Sequence, residues 1–366
     1  MRIFHVSAEQ FTELQELPDR LPRSGYLWIG SARREFEVGV ATLQNALQRW
    51  TGGQLVDLHI SDLLNTQLPS TFDYTSWYDV MVFRRLAAGT GSSSLFADEN
   101  RGTVASARQA LASIDTSPVG FAVFDRVLIT VHPTDCQVRD FFANRLGQIG
   151  QGAEARTTGA RLPSSPADLM LRMVNHMVDS YLELRRLLTK QLGYLQQELF
   201  RPRSHFRDWQ MLLDSRNALH LLEDVCEDQR SAVSEWIDAL DEWPDEPDPA
   251  ARRERELLRV RSRDVLEHIE RVLTHVRRLE GSAEGAVQMH FSAQSNRTAE
   301  IMRTLTVLTA VFMPLNLITG FFGMNFDFLP LVHSNAGVWI TSVAMLGLAL
   351  GLVVYFRRKR YLDRGR

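Results

Sequence analysis

Two asparagine side chains stand in a long stretch of the chain that carries no charge. No Asp, Glu, Lys or Arg occurs between Arg303 and Asp327, yet this stretch contains Asn316 and Asn325. A carboxamide in hydrocarbon is costly unless water or another polar group satisfies its hydrogen bonds. The two amides therefore indicate either a wet cavity or a contact between helices.

Asn316 belongs to a set of residues that helical periodicity places on one face. The set recurs at steps of three or four residues, the period of an α-helix. It consists of Met302, Leu305, Thr309, Met313, Asn316 and Gly320. A polar stripe inside a membrane lines either a pore shared by several copies or a helix interface held by amides and small residues. The periodicity alone leaves both interpretations open.

The sequence Gly323-Met324-Asn325 stands where this helix should end and the chain should turn. A ring of Asn325 amides from several copies would offer oxygen ligands without a full charge. Such ligands suit a hydrated Mg²⁺, which loses water reluctantly, and they let the ion leave again. Asp327 would raise the local concentration of cations. We therefore predict a cation-binding pore mouth formed by Gly323, Met324, Asn325 and Asp327.

Two charge-free runs near the C-terminus are each long enough to hold these residues in a bilayer. The first precedes Asp327 and the second extends from Phe328 to Phe356, and a spanning helix needs about 20 apolar residues. Basic residues follow the second run, whereas the link between the runs has none. The positive-inside rule then places both termini on the cytoplasmic side. We expect a protein of the cell (inner) membrane, with membrane lipid around its two spanning helices. The N-terminus has no apolar segment typical of a signal peptide.

The rest of the chain reads as an α/β unit followed by long helices. Val, Ile, Tyr and Phe content predicts strands at 26–30, 55–60, 78–86 and 120–132. Helices are predicted at 37–51 and 135–146, and a long helical hairpin follows. The predicted divisions are an α/β domain at 1–160, a helical hairpin at 161–249, a stalk helix at 250–300, a first transmembrane helix at 301–325, an outer loop at 326–336, a second transmembrane helix at 337–356 and a basic cytosolic tail at 357–366.

The stalk helix carries a heptad pattern of apolar residues. They are Leu258, Val265, Ile269, Val272, Val276 and Leu279. A heptad seam is typical of helices that pack along their length, and we expect it to give several copies a reason to associate.

No pattern in the sequence points to an enzyme. A phosphate-binding glycine loop and the GxSxG and HExxH motifs are all missing. The two cysteines, Cys136 and Cys226, have no metal-binding or disulfide spacing. We expect neither nucleic acid nor a small-molecule substrate other than metal ions.

Gly323-Met324-Asn325 and the helix before it resemble the CorA family of magnesium transporters. The resemblance is close over residues 290–360, with the proline, the two spans and the basic tail in place. It implies a funnel-shaped homopentamer that passes Mg²⁺ inward and is gated by cytosolic Mg²⁺. The regulatory acid on the stalk would be Asp264. Its partner on a neighbouring copy is open among Asp73, Asp79 and Asp98.

Two alternatives remain. Zinc transporters of the ZntB type share this fold and motif region, so Zn²⁺, Co²⁺ or Ni²⁺ could be the ion. From a different class comes a membrane-anchored scaffold, in which a coiled-coil stalk presents the α/β domain to cytosolic partners.

Overall fold

The computed structural model describes residues 1–88, 114–150, 161–200, 209–242, 248–324 and 335–359. The chain divides into two compact units, Met1–Gly285 and Ala286–Arg366. The first unit contains a sheet and most of the helices, and the second contains two long apolar helical segments.

The first unit is built on a seven-stranded sheet with the order β2-β1-β3-β9-β8-β5-β4. Its neighbouring strands are antiparallel except for β3 and β9, which are parallel. Strands β6 and β7 form a separate two-stranded sheet. The strands are β1 (Arg2–Val6), β2 (Phe11–Leu14), β3 (Tyr26–Ala32), β4 (Thr71–Tyr74), β5 (Asp79–Arg84), β6 (Ala87–Ala88), β7 (Ile114–Asp115), β8 (Pro118–Val123) and β9 (Val127–His132).

Helices surround the central strands and bury them. Every residue of β8 and β9 is buried, which explains why these strands are mostly apolar rather than alternating. The buried polar residues Thr130 and His132 lie 2.8 Å apart and hydrogen-bond to each other. The helices of this layer are α1 (Arg33–Thr51), α2 (Asp57–Leu64), α3 (Gln137–Gly150) and α4 (Pro166–Asp179). The predicted α/β class is therefore confirmed. The run predicted as one strand at 120–132 is two strands, because the chain turns at Phe124–Arg126.

The strand predicted at 55–60 is wrong, because this segment begins helix α2. Val56 and Leu58 are exposed, whereas His59 and Leu63, four residues apart, are buried. That spacing is helical, and Asp57 in the first turn favours a helix N-terminus. The His59 ring lies 2.9 Å from the Tyr78 hydroxyl, so a polar residue occupies a position on the buried face.

Three long helices form the remainder of the first unit. They are α5 (Tyr181–Phe200), α6 (Trp209–Glu242) and the part of α7 (Pro249–Phe322) that belongs to this unit.

Cross-helix contacts give the directions of these three helices. The Tyr181 hydroxyl lies 2.9 Å from His275 Nδ1, and Gln196 donates to Ser282 at 2.9 Å, so α5 and α7 run in the same direction.

Helix α6 runs antiparallel to α7. The Trp236 indole N–H donates to the Ser262 hydroxyl at 2.9 Å. Glu223, which precedes Trp236 on α6, accepts at 2.6 Å from Arg277, which follows Ser262 on α7.

The heptad seam of α7 is buried inside the chain. All six seam residues, from Leu258 to Leu279, are less than a tenth exposed, and α5 and α6 both contact this part of α7. The helical periodicity was therefore a correct basis for predicting burial. The expectation that the seam draws several copies together is wrong, because the chain's own helices already cover it.

The second unit contains the rest of α7 and the helix α8 (Asn335–Arg358). By length and composition, α7 and α8 are each apolar enough to cross a membrane, and little of their most apolar stretches is buried within the chain. Helix α7 continues through Pro314, which has no N–H to donate to the preceding turn.

Candidate ion-conducting face

The six residues that periodicity grouped together lie on one exposed face of α7. Met302, Leu305, Thr309, Met313, Asn316 and Gly320 are all exposed. On the opposite side Val307 and Val311 are buried, and Leu315 is half-buried. We call the set of six the outer face of α7. The structure brings these residues together in one row along the helix.

The exposed surface is wider than this row. Leu308 and Phe312 border the outer face on one side, and Leu317 and Phe321 border it on the other. All four are more than half exposed and apolar. Such flanks suit hydrocarbon or the same helix of another copy, whereas the row itself carries the polar groups Thr309 and Asn316.

The polar groups of the outer face are neutral and present oxygen atoms. The Thr309 hydroxyl donates to the Leu305 carbonyl at 2.9 Å, so its lone pairs remain free to accept from water. Within the described residues, the Asn316 carboxamide has no hydrogen-bond partner. Because an amide in hydrocarbon needs a partner, Asn316 requires one beyond the described residues, such as water or a group from another copy.

Helix α7 ends at Phe322, close to the predicted pore mouth. The Gly323 N–H still donates to the Thr319 carbonyl at 2.9 Å, and the Met324 N–H reaches the Phe321 carbonyl at 3.4 Å. A Cβ at Gly323 would come to 3.0 Å from the Thr319 oxygen, so this turn favours glycine. Asn325 and Asp327 lie outside the described residues.

The predicted regulatory acid, Asp264, lies exposed on the part of α7 in the first unit. His268 stands between two carboxylates: its Nε2 is 3.8 Å from Asp264 and its Nδ1 is 3.5 Å from Asp179. Asp264 and Asp179 both line a cavity of about 380 Å³. An ion could therefore reach Asp264 from solvent.

The candidate partners of Asp264 differ in their surroundings. Asp73 is 3.1 Å from the buried His59 and accepts from the Tyr74 N–H, so its carboxylate is already occupied. Asp79 lines another cavity, of about 620 Å³, together with Asp125. Burial and the nearby Asp125 charge raise the pKa of Asp79 to about 6. Asp98 lies outside the described residues.

Two carboxylates in these cavities, Asp125 and Asp179, were missed from the sequence. Asp125 lies in the turn between β8 and β9, inside the run that was predicted as one strand. The single Asp125 within an otherwise strand-like run is a residue type common in turns, but its proximity to Asp79 depends on the pairing of β5 with β8. Nothing in the sequence relates Asp179 to Asp264, because they are distant along the chain.

The family model for the CorA-like Mg²⁺ transporter protein matches residues 102–358 of this chain. The chain belongs to the CorA family. The resemblance seen in the sequence is therefore confirmed, and so is the prediction that the chain is not an enzyme, since the family consists of transporters.

Individual CorA proteins are similar over part of their length. The cobalt/magnesium transport protein CorA of Thermotoga maritima is 34% identical over 100 residues, 27% of this chain and 28% of that protein. The magnesium transport protein CorA of Haemophilus influenzae is 31% identical over 101 residues, 28% of this chain and 32% of that protein. The similarity thus spans about a third of these relatives or less.

The fold extends over the whole chain. The complete CorA magnesium transporter structure from Methanocaldococcus jannaschii matches with a TM-score of 0.68 at 17% identity, covering 98% of both chains. This match confirms the predicted fold class, because the α/β domain, the long helices and the two C-terminal apolar helices together match the fold of that CorA structure.

Proposed function

We propose that this CorA protein passes Mg²⁺ inward through a pore formed by several copies of the outer face of α7. The observation that carries the proposal is Asn316, whose exposed carboxamide has no partner among the described residues of its own chain. Two helices cannot enclose a pore, so copies must surround an axis. The homopentamer is the assembly that the CorA resemblance implies, with both termini in the cytoplasm.

The chemistry of the outer face suits an ion that keeps its water. Thr309 and Asn316 offer oxygen atoms without a full charge, and Gly320 leaves room beside the helix. Neutral ligands hold a hydrated divalent ion weakly enough for it to move on. Asn325 binds the hydrated ion at the outer mouth, and Asp327 attracts it there. The membrane potential supplies about 2.3 kcal/mol per charge per 100 mV.

Cytosolic Mg²⁺ regulates the pore through Asp264 of one copy and Asp79 of its neighbour. Asp79 is the better partner because Asp73 is held by His59. The adjacent Asp125 supplies a second carboxylate, so an ion there would meet several oxygen ligands, as Mg²⁺ and Ca²⁺ prefer. A bound ion would relieve the repulsion between Asp79 and Asp125 and tie the two copies together.

The test is divalent-ion uptake into liposomes that hold the purified full-length protein. Wild type and Asn325→Ala are compared with Mg²⁺, Co²⁺ and Zn²⁺. Mg²⁺ entry that the substitution abolishes supports the amide ring and the magnesium assignment together. Entry of Zn²⁺ or Co²⁺ alone retains the pore and overturns the assignment of Mg²⁺. If no ion enters although the protein is folded, the transport proposal fails.

A second measurement separates a carrier of hydrated ions from one that removes their water. An inert hexa-ammine complex has about the size of a hydrated divalent ion and cannot lose its ligands. We expect it to block Mg²⁺ uptake, because Asn325 would bind the shell of the ion rather than the ion itself. Unchanged uptake would favour a pore that strips the ion, as the Zn²⁺ alternative requires.

The scaffold alternative has lost its main support. Its coiled-coil stalk needs an apolar seam that is free to bind partners, and the seam residues are buried within the chain. A scaffold also predicts that Asn325→Ala is functionally silent.

A further inference from the structure

Three metal-ligating side chains meet where α6 contacts α7 in the first unit. His220 and Glu223 lie one turn apart on α6, and Glu280 lies on α7. One ligand atom from each lies within 4.8 Å of the others. His220 Nδ1 is 3.9 Å from Glu223 Oε2 and 4.0 Å from Glu280 Oε1. We call these three residues the α6–α7 cluster.

The spacing of the cluster suits a bound ion after a small adjustment. Metal–ligand bonds are about 2.0–2.2 Å long. Two ligand atoms are therefore about 3.0–3.5 Å apart when they occupy neighbouring coordination positions of the ion, and about 4 Å apart when they lie on opposite sides of it. The His220 side chain is 67% exposed, so its ring can rotate toward the carboxylates. Glu223 and Glu280 are 19% and 22% exposed, which limits their movement and excludes part of the solvent.

Arg277 orients one of the carboxylates. Its Nε donates to Glu223 Oε1 at 2.6 Å, and the same guanidinium also contacts Glu227. The second oxygen of Glu223 is thereby directed to His220. Outer hydrogen bonds of this kind commonly fix the carboxylates of metal sites.

The two carboxylates of the cluster differ in their partners: Glu223 is paired with Arg277, whereas Glu280 lies 4.0 Å from the His220 ring. In the described part of the chain, no guanidinium lies within ion-pair distance of Glu280. A cation bound between the Glu223 and Glu280 carboxylates would relieve the repulsion between them.

We propose that the α6–α7 cluster binds a divalent transition-metal ion such as Zn²⁺ or Co²⁺. His220 Nδ1, Glu223 and Glu280 are its protein ligands, and water completes the coordination. Imidazole nitrogen suits Zn²⁺ and Co²⁺, whereas Mg²⁺ prefers oxygen ligands. The bound ion fastens α6 to α7.

This site is separate from the regulatory acid and from the outer face. Asp264 lies 16 residues before Glu280 on the same helix, about 24 Å away at 1.5 Å per residue. Transport through the pore is therefore not required for the cluster to bind its ion.

The experiment is a Co²⁺ titration of the full-length protein in detergent, after a chelator has removed bound metal. Excess Mg²⁺ occupies the all-oxygen sites, and the Asn325→Ala background removes the proposed pore site. The ligand-field absorption of Co²⁺ reports coordination by nitrogen and oxygen, and a parallel calorimetric titration uses Zn²⁺. The cluster variants are His220→Ala and Glu280→Gln. The matched controls are Glu235→Gln, at an exposed position of α6, and His290→Ala on α7.

We expect one Co²⁺ per chain and a loss of at least about tenfold in affinity for each cluster variant, since a direct ligand matters at least as much as an outer one. The controls should bind as the parent does. His220 is exposed, so His220→Ala should keep the metal-free melting temperature. Equal affinity in His220→Ala and the parent, or no Co²⁺ binding in the presence of the excess Mg²⁺, would overturn the site. Either result leaves the liposome test of transport unaffected.

Discussion

Val311 and Met313 lie two residues apart on α7, yet Val311 is 8% exposed and Met313 is 66% exposed. Two residues correspond to about 200° around a helix, so the side chains point to opposite sides. Val311 is covered by its own chain, whereas Met313 faces outward beside Thr309 and Asn316. This contrast separates an inner face of α7 from an outer face that is available to an ion or to other copies.

A larger side chain at Gly320 tests whether the outer face lines the pore. A Cβ at Gly320 meets nothing within 4 Å, so Gly320→Leu fits the single chain. In an assembly whose outer faces line the pore, the added isobutyl groups would fill it. We expect Mg²⁺ uptake into liposomes to fall by at least about tenfold, which corresponds to about 1.4 kcal/mol in the barrier.

Gly347 on α8 provides the matched control. A Cβ there also meets nothing within 4 Å, but this residue lies outside the outer face. Gly347→Leu should therefore keep near-normal uptake. Equal inhibition by the two substitutions would mean that bulk anywhere in the membrane helices disturbs transport, and the assignment of the pore face would lose this support.

Periodicity predicted which residues of α7 share a face, because helical geometry depends only on local spacing. The outer face and the heptad seam were both recognised in this way. What covers the seam could not be predicted, since the contacts of Tyr181 and Trp236 with α7 join residues that are distant in sequence. The same limit applies to the carboxylate pair Asp179 and Asp264.

The α/β class was also predictable, whereas the sheet order was not. Strands β8 and β9 could be predicted as buried strands because most of their residues are apolar. The short β1 was not predicted, and its place between β2 and β3 depends on pairing such as that of Phe4 with Trp28. Helix α2 was mistaken for a strand because Leu55, Val56 and Ile60 have strand-like composition, and its buried polar residue His59 concealed the helical period.

Ile269 tests the inner packing of the stalk. It is fully buried in the seam, so Ile269→Ala should leave a cavity and cost about 2–5 kcal/mol. The melting temperature of the detergent-purified protein should fall accordingly. Val260→Ala is the control, because Val260 on the same helix is exposed and should change stability by less than about 0.5 kcal/mol. Similar melting temperatures for the two variants would contradict burial of the seam.

Asp79 should make stability depend on pH. Its folded-state pKa of about 6 lies above the ordinary value of 3.8, so the folded state disfavours the charged carboxylate. The penalty is absent below pH about 4, grows as the pH rises, and is complete above pH about 6. At about 1.4 kcal/mol per pKa unit, it reaches at most about 3 kcal/mol.

Asp79→Asn removes this penalty, so it should raise the melting temperature at pH 7.5 and have little effect at pH 4. Asp19→Asn is the control, because the Asp19 carboxylate is almost fully exposed. This substitution should leave the melting temperature unchanged at both pH values. If Asp79→Asn lowers the melting temperature at pH 7.5, the charged Asp79 carboxylate does not destabilise the folded state. Its proposed role as a cation ligand then loses its electrostatic basis.

If the outer face lines the pore, it must be in contact with water in the working transporter. The native thiols of Cys136 and Cys226 are buried, so cysteines can be introduced at Thr309 and Asn316, with Leu350→Cys on the exposed surface of α8 as the lipid-facing control. Mg²⁺ uptake is measured before and after a charged, membrane-impermeant thiol reagent. We expect the reagent to block uptake by the Thr309→Cys and Asn316→Cys variants and to leave uptake by Leu350→Cys unchanged. Uptake that persists in the first two variants, with no labelling of their thiols, would contradict a pore along this face.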